Sequence, residues 1–136
     1  MKKFLTFLSL VFVVALVAAP SAVAKKNKNV GAAQIKFSEL VYDFGTITEK
    51  GGSVSHNFEF TNQGDANLAI LNATAECGCT RPSYPTNPIA PGKGGVVKVT
   101  FNPAGRFGSF EKVVTVTATG RPAKVRLKIK GYIKEK

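Results

Sequence analysis

Both cysteines of the chain fall within three residues, Cys77-Gly78-Cys79, in the stretch Glu76-Cys77-Gly78-Cys79-Thr80-Arg81-Pro82. In an extended segment residues i and i+2 point to the same side, so the two sulfurs can face one another or a shared ligand. An even cysteine count in an exported chain favours a disulfide. As a staple it is weak: closing so short a loop stabilises by about 1.6 kcal/mol on the chain-entropy relation, before ring strain is subtracted. Strain in a tight ring makes the bond easier to reduce than an ordinary structural disulfide. Gly78 is expected to supply the backbone angles that such a ring requires.

Reduced, the pair offers two soft ligands suited to Cu(I), or half of a zinc site. Arg81 favours thiolate and Glu76 opposes it, so disulfide, redox and metal readings all stand on these residues. His56 is the sole histidine, and the only methionine is Met1. His56 completes a metal site with Cys77 and Cys79 only if its strand passes beside the turn. Its inward position on an alternating segment is that of a hydrogen-bonded core histidine.

Hydrolytic chemistry has little to draw on. With one histidine there is no evident nucleophile, base and orienter set, and the two aspartates, Asp43 and Asp65, stand beside no other acid in a metal-binding or glycosidase spacing. Asp43-Phe44-Gly45 copies a kinase tripeptide without the other kinase motifs. Pro91-Gly92-Lys93-Gly94-Gly95 leads into a strand pattern, whereas a Walker loop needs glycine-lysine-serine or threonine entering a helix. The chain is therefore expected not to be an enzyme, and no cofactor is expected.

These residues sit in a chain with an export pattern. Lys2-Lys3 precede an apolar run from Phe4 to Ala19, and the small residues Ala22 and Ala24 fit a signal-peptidase site. Residues 1–24 read as a signal peptide cut after Ala24, leaving no transmembrane anchor. Residues 25–33, opening with Lys25-Lys26-Asn27-Lys28-Asn29, read as a disordered leader. A single domain over 34–136 follows. The expected location is periplasmic or extracellular.

Without residues 1–24, which hold Lys2 and Lys3 of the 19 basic residues, 17 basic side chains face 8 acidic ones, a net charge of +9. In the cytoplasm such a balance would suggest nucleic acid, but export argues against that partner. An envelope protein or an anionic glycan or lipid surface is the partner that the charge allows. Lys124, Arg126, Lys128 and Lys130 alternate with Val125, Leu127 and Ile129, giving the last strand one core face and one cationic stripe. Outward charges on a terminal strand also serve to block edge-to-edge pairing.

The remaining segments read as strands that hold the turn. Ile35 to Phe44 forms a first strand bent or broken at Gly45. Val54, His56, Phe58 and Phe60 share one face of a half-buried strand ending at Asn62. Leu68 to Thr74 is more apolar and is expected to be central. Pro82, Pro85, Pro88 and Pro91 recur every third residue, the polyproline II period, and mark an extended arm able to carry the chain from one sheet to another. Val97, Val99 and Phe101 alternate with polar residues, and the stretch Phe110 to Thr119 is rich in valine and threonine. The pattern predicts an all-β chain, an antiparallel β-sandwich of about seven strands.

Tyr42-Asp43-Phe44-Gly45-Thr46-Ile47, His56 to Asp65, Cys77-Gly78-Cys79-Thr80, Pro88 to Lys93 and Val97-Lys98-Val99-Thr100-Phe101 occur in that order. Together they resemble the bacterial family known as domain of unknown function 1573. The resemblance implies an exported, immunoglobulin-like sandwich similar to those of major sperm protein and the Hydin group, and it brings no assigned activity. Folds of this kind mostly serve as binding or assembly modules, although fold alone does not decide function.

Overall fold

The computed structural model describes residues 31–135. The expected signal peptide and most of the expected leader lie outside them. Eight strands follow in chain order: β1 (Ile35–Phe37), β2 (Val41–Thr48), β3 (Val54–Asn62), β4 (Ile70–Ala75), β5 (Thr80–Ser83), β6 (Gly94–Phe101), β7 (Gly108–Ala118) and β8 (Lys124–Lys134). They form two four-stranded sheets, ordered β1-β3-β6-β5 and β2-β8-β7-β4. This is the immunoglobulin-like strand order, with the first strand divided between the sheets.

Alternation decides which side chains meet between the sheets. Phe58 and Phe60 of β3, Val97, Val99 and Phe101 of β6, Val114 and Val116 of β7, and Leu127 and Ile129 of β8 are all buried. Their outward neighbours Glu59, Lys98 and Arg126 are exposed. The rings of Phe101 and Phe110 stack across the interior with centroids 4.2 Å apart. Burial of one face of each strand is the main stabilising term of such a sandwich.

The first expected strand is divided. Residues 38–40 carry the chain from one sheet to the other without reversing it, so β1 pairs antiparallel with β3 while β2 runs parallel to β8. That division adds an eighth strand and puts one parallel pair in an otherwise antiparallel sandwich. Gly45 does not break β2 but bulges it: its φ is 67°, the register shifts between Asp43 and Thr46, and the Asp43 carboxylate accepts the Gly45 N–H at 2.8 Å. Ala32 and Ala33, placed by sequence in the leader, are held to the domain. Ala32 accepts a hydrogen bond from Asp65, and Ala33, which is buried, accepts one from Arg121.

Three expectations about position are corrected. β4 is an edge strand, with Leu71 60% exposed, because the apolar Leu68 is spent before the strand begins, in a bridge to Ile89. β8, the last strand in sequence, is not an edge but lies between β2 and β7. The proline arm does not cross between sheets, since β5 and β6 are neighbours in one sheet. The crossing comes earlier, between Ala75 of β4 and Thr80 of β5, at the cysteines. Pro82, lacking an N–H, sits on β5 at a sheet edge, where one side of the strand needs no partner. No helix among the described residues is long and apolar enough to cross a membrane.

Candidate functional site

The crossover from β4 to β5 holds the cysteines in a closed turn. Thr80 N–H donates to Cys77 O at 3.2 Å, and Asn102 N–H donates to Cys79 O at 2.9 Å, fastening the turn to the end of β6. Cys77 and Cys79 are joined as a disulfide, with Cα atoms 5.3 Å apart. Both cysteines are half-buried, but Cys79 packs against the core while Gly78 is exposed. The Thr80 side chain, only 3% exposed, places its hydroxyl 3.6 Å from Cys79 Sγ and 4.0 Å from Cys77 Sγ. A disulfide sulfur carries no hydrogen, so in this arrangement Thr80 is the donor.

Gly78 does not play the part expected of it. It is not among the glycines with positive φ, and a Cβ built on it would meet nothing within 4 Å. Neither backbone angle nor crowding requires glycine there. Its effect is to leave exposed main chain with no side chain between the two cysteines.

His56 lies elsewhere. Its ring stacks flat on Tyr42, with centroids 3.5 Å apart and planes 7° from parallel, and meets the edge of Phe58 at 4.9 Å. Its Nε2 is bonded to the Glu39 carboxylate. The side chain is 19% exposed, so His56 is a hydrogen-bonded histidine at the margin of the core. His56 and Pro82 both pair with Val99, which sets the β3 and β5 strands two spacings apart, roughly 10 Å. His56 and the cysteines are therefore not brought together, and no set of three His, Cys, Asp or Glu side chains gathers as a metal site among the described residues.

The predicted cationic stripe is present on the outward face of β8. Lys124, Arg126 and Lys130 are exposed and Lys128 is half-buried, and Lys134 extends the row. Lys128 pairs with Glu111 at 2.9 Å, and Arg126 reaches Glu76 at 3.9 Å beside the cysteine turn. Lys124 and Lys130 form no ion pair among the described residues. A groove lined by Leu40, Val41, Glu111, Val113, Arg126 and Lys128 runs alongside, and Leu40 and Val41 are about half exposed, at 49% and 46%.

Residues 35–133, from the start of β1 almost to the end of β8, match the family described as "Protein of unknown function (DUF1573)". The chain belongs to this DUF1573 family. Among curated proteins, none matches it. Solved structures with a similar fold include a Porphyromonas gingivalis W83 protein of unknown function, with 17% identity, a TM-score of 0.62, and coverage of 75% of this chain and 46% of that one. Another is the ASH / PapD-like domain 7 of human CEP192, with 16% identity, a TM-score of 0.58, and coverage of 77% and 88%. A third is the Vibrio cholerae VesB protease, with 16% identity, a TM-score of 0.56, and coverage of 76% and 32%. The chain spans less than half of the P. gingivalis protein and about a third of VesB. These likenesses establish a PapD-like, immunoglobulin-like fold.

One structural residue of this DUF1573 domain escaped the sequence reading. Asn62, fully buried at the end of β3, uses every atom of its amide. Its Nδ2 donates to Ala66 O at 2.8 Å and Ile89 O at 2.9 Å, and its Oδ1 accepts from Gln34 N at 3.2 Å and Gly64 N at 3.0 Å. The signal was available in sequence, because Asn62 continues the inward positions 54, 56, 58 and 60, and a polar residue there needs partners.

Proposed function

We propose that this domain is a non-enzymatic binding or scaffolding module of the bacterial cell envelope, and that the outward face of β8 engages an anionic surface, a glycan or a lipid headgroup. The observation that carries the reading is the position of the cations. Lys128 and Lys130 stand where β8 is paired on both sides, by β2 and by β7, and Lys124 and Arg126 precede them on the stretch paired with β7. At Lys128 and Lys130 there is no exposed edge for the charges to guard. A row of cations on a paired strand raises the local concentration of anionic ligands. The exposed Leu40 and Val41 beside Arg126 and Lys128 add apolar area of the kind that reinforces binding at a membrane interface.

Export is supported by Lys2-Lys3, the Phe4 to Ala19 run and the small residues Ala22 and Ala24. The non-enzymatic reading is supported by the sequence, whose one histidine and two separated aspartates offer no evident nucleophile, base and orienter set. The test is binding of the protein to phosphatidylglycerol vesicles and to an acidic polysaccharide at low salt, with phosphatidylcholine vesicles as the neutral comparison. Replacing Arg126, Lys128 and Lys130 together by Gln is expected to weaken anionic binding by about a hundredfold, at about 1 kcal/mol for each cation near a charged surface. A triple variant that partitions like wild type at low salt would show the stripe to be surface only.

A further inference from the structure

We propose that Cys77 and Cys79 form a thiol–disulfide exchange site that accepts an electron pair from a protein dithiol, with Cys77 as the sulfur attacked and Cys79 as the leaving sulfur. The inference is independent of the cationic face. Three observations carry it. The pair closes a loop of three residues, which contributes little to holding the fold. It lies where the chain passes from one sheet edge to the other, half-buried, with the exposed Gly78 between the two cysteines. The buried Thr80 hydroxyl, within reach of both sulfurs, lies nearer to Cys79.

The environment orders the two cysteines. Cys79 packs against the core and receives the closer hydroxyl, so it is shielded from attack and supplied with a donor for the charge it acquires on leaving. A leaving sulfur whose thiolate is stabilised departs faster. Gly78, with open space where a side chain would stand, allows a partner's main chain to come close.

The step balances as follows in atoms and electrons. A partner thiolate attacks Cys77 Sγ, a bond forms between them, and the Cys77–Cys79 bond breaks with its electron pair passing to Cys79 Sγ, which accepts the Thr80 O–H. The partner's second thiolate then attacks its own sulfur in the mixed disulfide and releases Cys77 as a thiolate. The partner dithiol is oxidised to a disulfide and the Cys77–Cys79 disulfide is reduced. The two protons of the partner's thiols end on Cys77 and Cys79. The same steps in reverse, with a second disulfide as oxidant, restore the starting bond.

The experiment uses the oxidised protein, a reduced peptide bearing two cysteines, and oxidised glutathione as the comparison oxidant. One equivalent of oxidised protein is expected to oxidise the peptide about tenfold or more faster than one equivalent of glutathione alone. Single-cysteine variants give the order: Cys79→Ser should take up glutathione on Cys77 about tenfold faster than Cys77→Ser takes it up on Cys79. Thr80→Val, close in shape, should slow exchange and shift the equilibrium with glutathione by about tenfold, the factor that a hydrogen bond to a charged sulfur supplies. Thr80→Ser, which keeps the hydroxyl, should restore both, and a purely structural Thr80 would not move that equilibrium. Peptide oxidation no faster than glutathione alone, or a pair that stays closed in excess reduced glutathione, overturns the proposal. Equal reactivity of the two single-cysteine variants overturns the assigned order.

Discussion

Asn62 donates its side-chain amide to the carbonyl of Ile89 at 2.9 Å, tying the end of β3 to the connection that leads into β6. Ile89 in turn exchanges backbone hydrogen bonds with Leu68, so one buried amide closes the end of the sandwich from which β4 sets out toward the cysteine turn. The partners of Asn62 are all main-chain groups, which no other side chain replaces in place.

Asn62→Ala should therefore destabilise the fold by about 3 kcal/mol, since it strips partners from buried backbone donors and acceptors and leaves a gap. Urea unfolding followed by circular dichroism measures it. A loss below about 1 kcal/mol would mean that water takes over these bonds without cost.

Two glycines should respond oppositely to alanine. A Cβ at Gly64 would lie 2.1 Å from Ala32 O, against backbone that cannot rotate away, so Gly64→Ala is expected to cost about 2 kcal/mol or more. Gly78→Ala meets nothing within 4 Å and should stay within about 0.5 kcal/mol of wild type. Thermal midpoints of the two variants, measured side by side, decide the matter.

Reduction of Cys77–Cys79 should leave the domain folded. The loop closed by the bond stabilises by about 1.6 kcal/mol at most on the entropy relation, and the core of Phe58, Phe60, Phe101 and Leu127 does not depend on it. Unfolding curves with and without dithiothreitol should shift only slightly. A collapse of the native signal on reduction would make the disulfide a staple after all.

The cations of β8 should not contribute equally. Lys128 is held by Glu111 at 2.9 Å, and Lys130 stands between Asp43 and Glu111, whereas Lys124 stands opposite Thr117 and has no ion-pair partner among the described residues. Lys124→Gln is expected to weaken binding to phosphatidylglycerol vesicles by about fivefold, and Lys128→Gln by less, because a paired cation has already given up part of its attraction. Vesicle sedimentation over a salt series separates the two.

Much of this molecule could be read from alternation. A strand's side chains change face at every residue, so the inward sets Phe58 and Phe60, Val97, Val99 and Phe101, and Leu127 and Ile129 follow from local sequence, as does the cationic face of β8. The same regularity extends to Asn62, which went unread, and the partners that make it tolerable lie at Gln34, Gly64, Ala66 and Ile89 and come together only in the fold.

Which strand neighbours which was decided elsewhere. An edge strand and a central strand show the same period of two, so sequence by itself determined the faces of the alternating strands but not the division of β1 from β2, nor that β8 is central or that β4 lies at an edge. Nor could it place the sheet crossing at Cys77-Gly78-Cys79 rather than in the proline arm, or separate His56 from the sulfurs by the width of β6. These are outcomes of how two sheets close over one core, where contacts between residues far apart in the chain choose the pairing. Tertiary structure alone therefore set Lys128 and Lys130 on a strand paired on both sides and the cysteines at the crossing between the sheets.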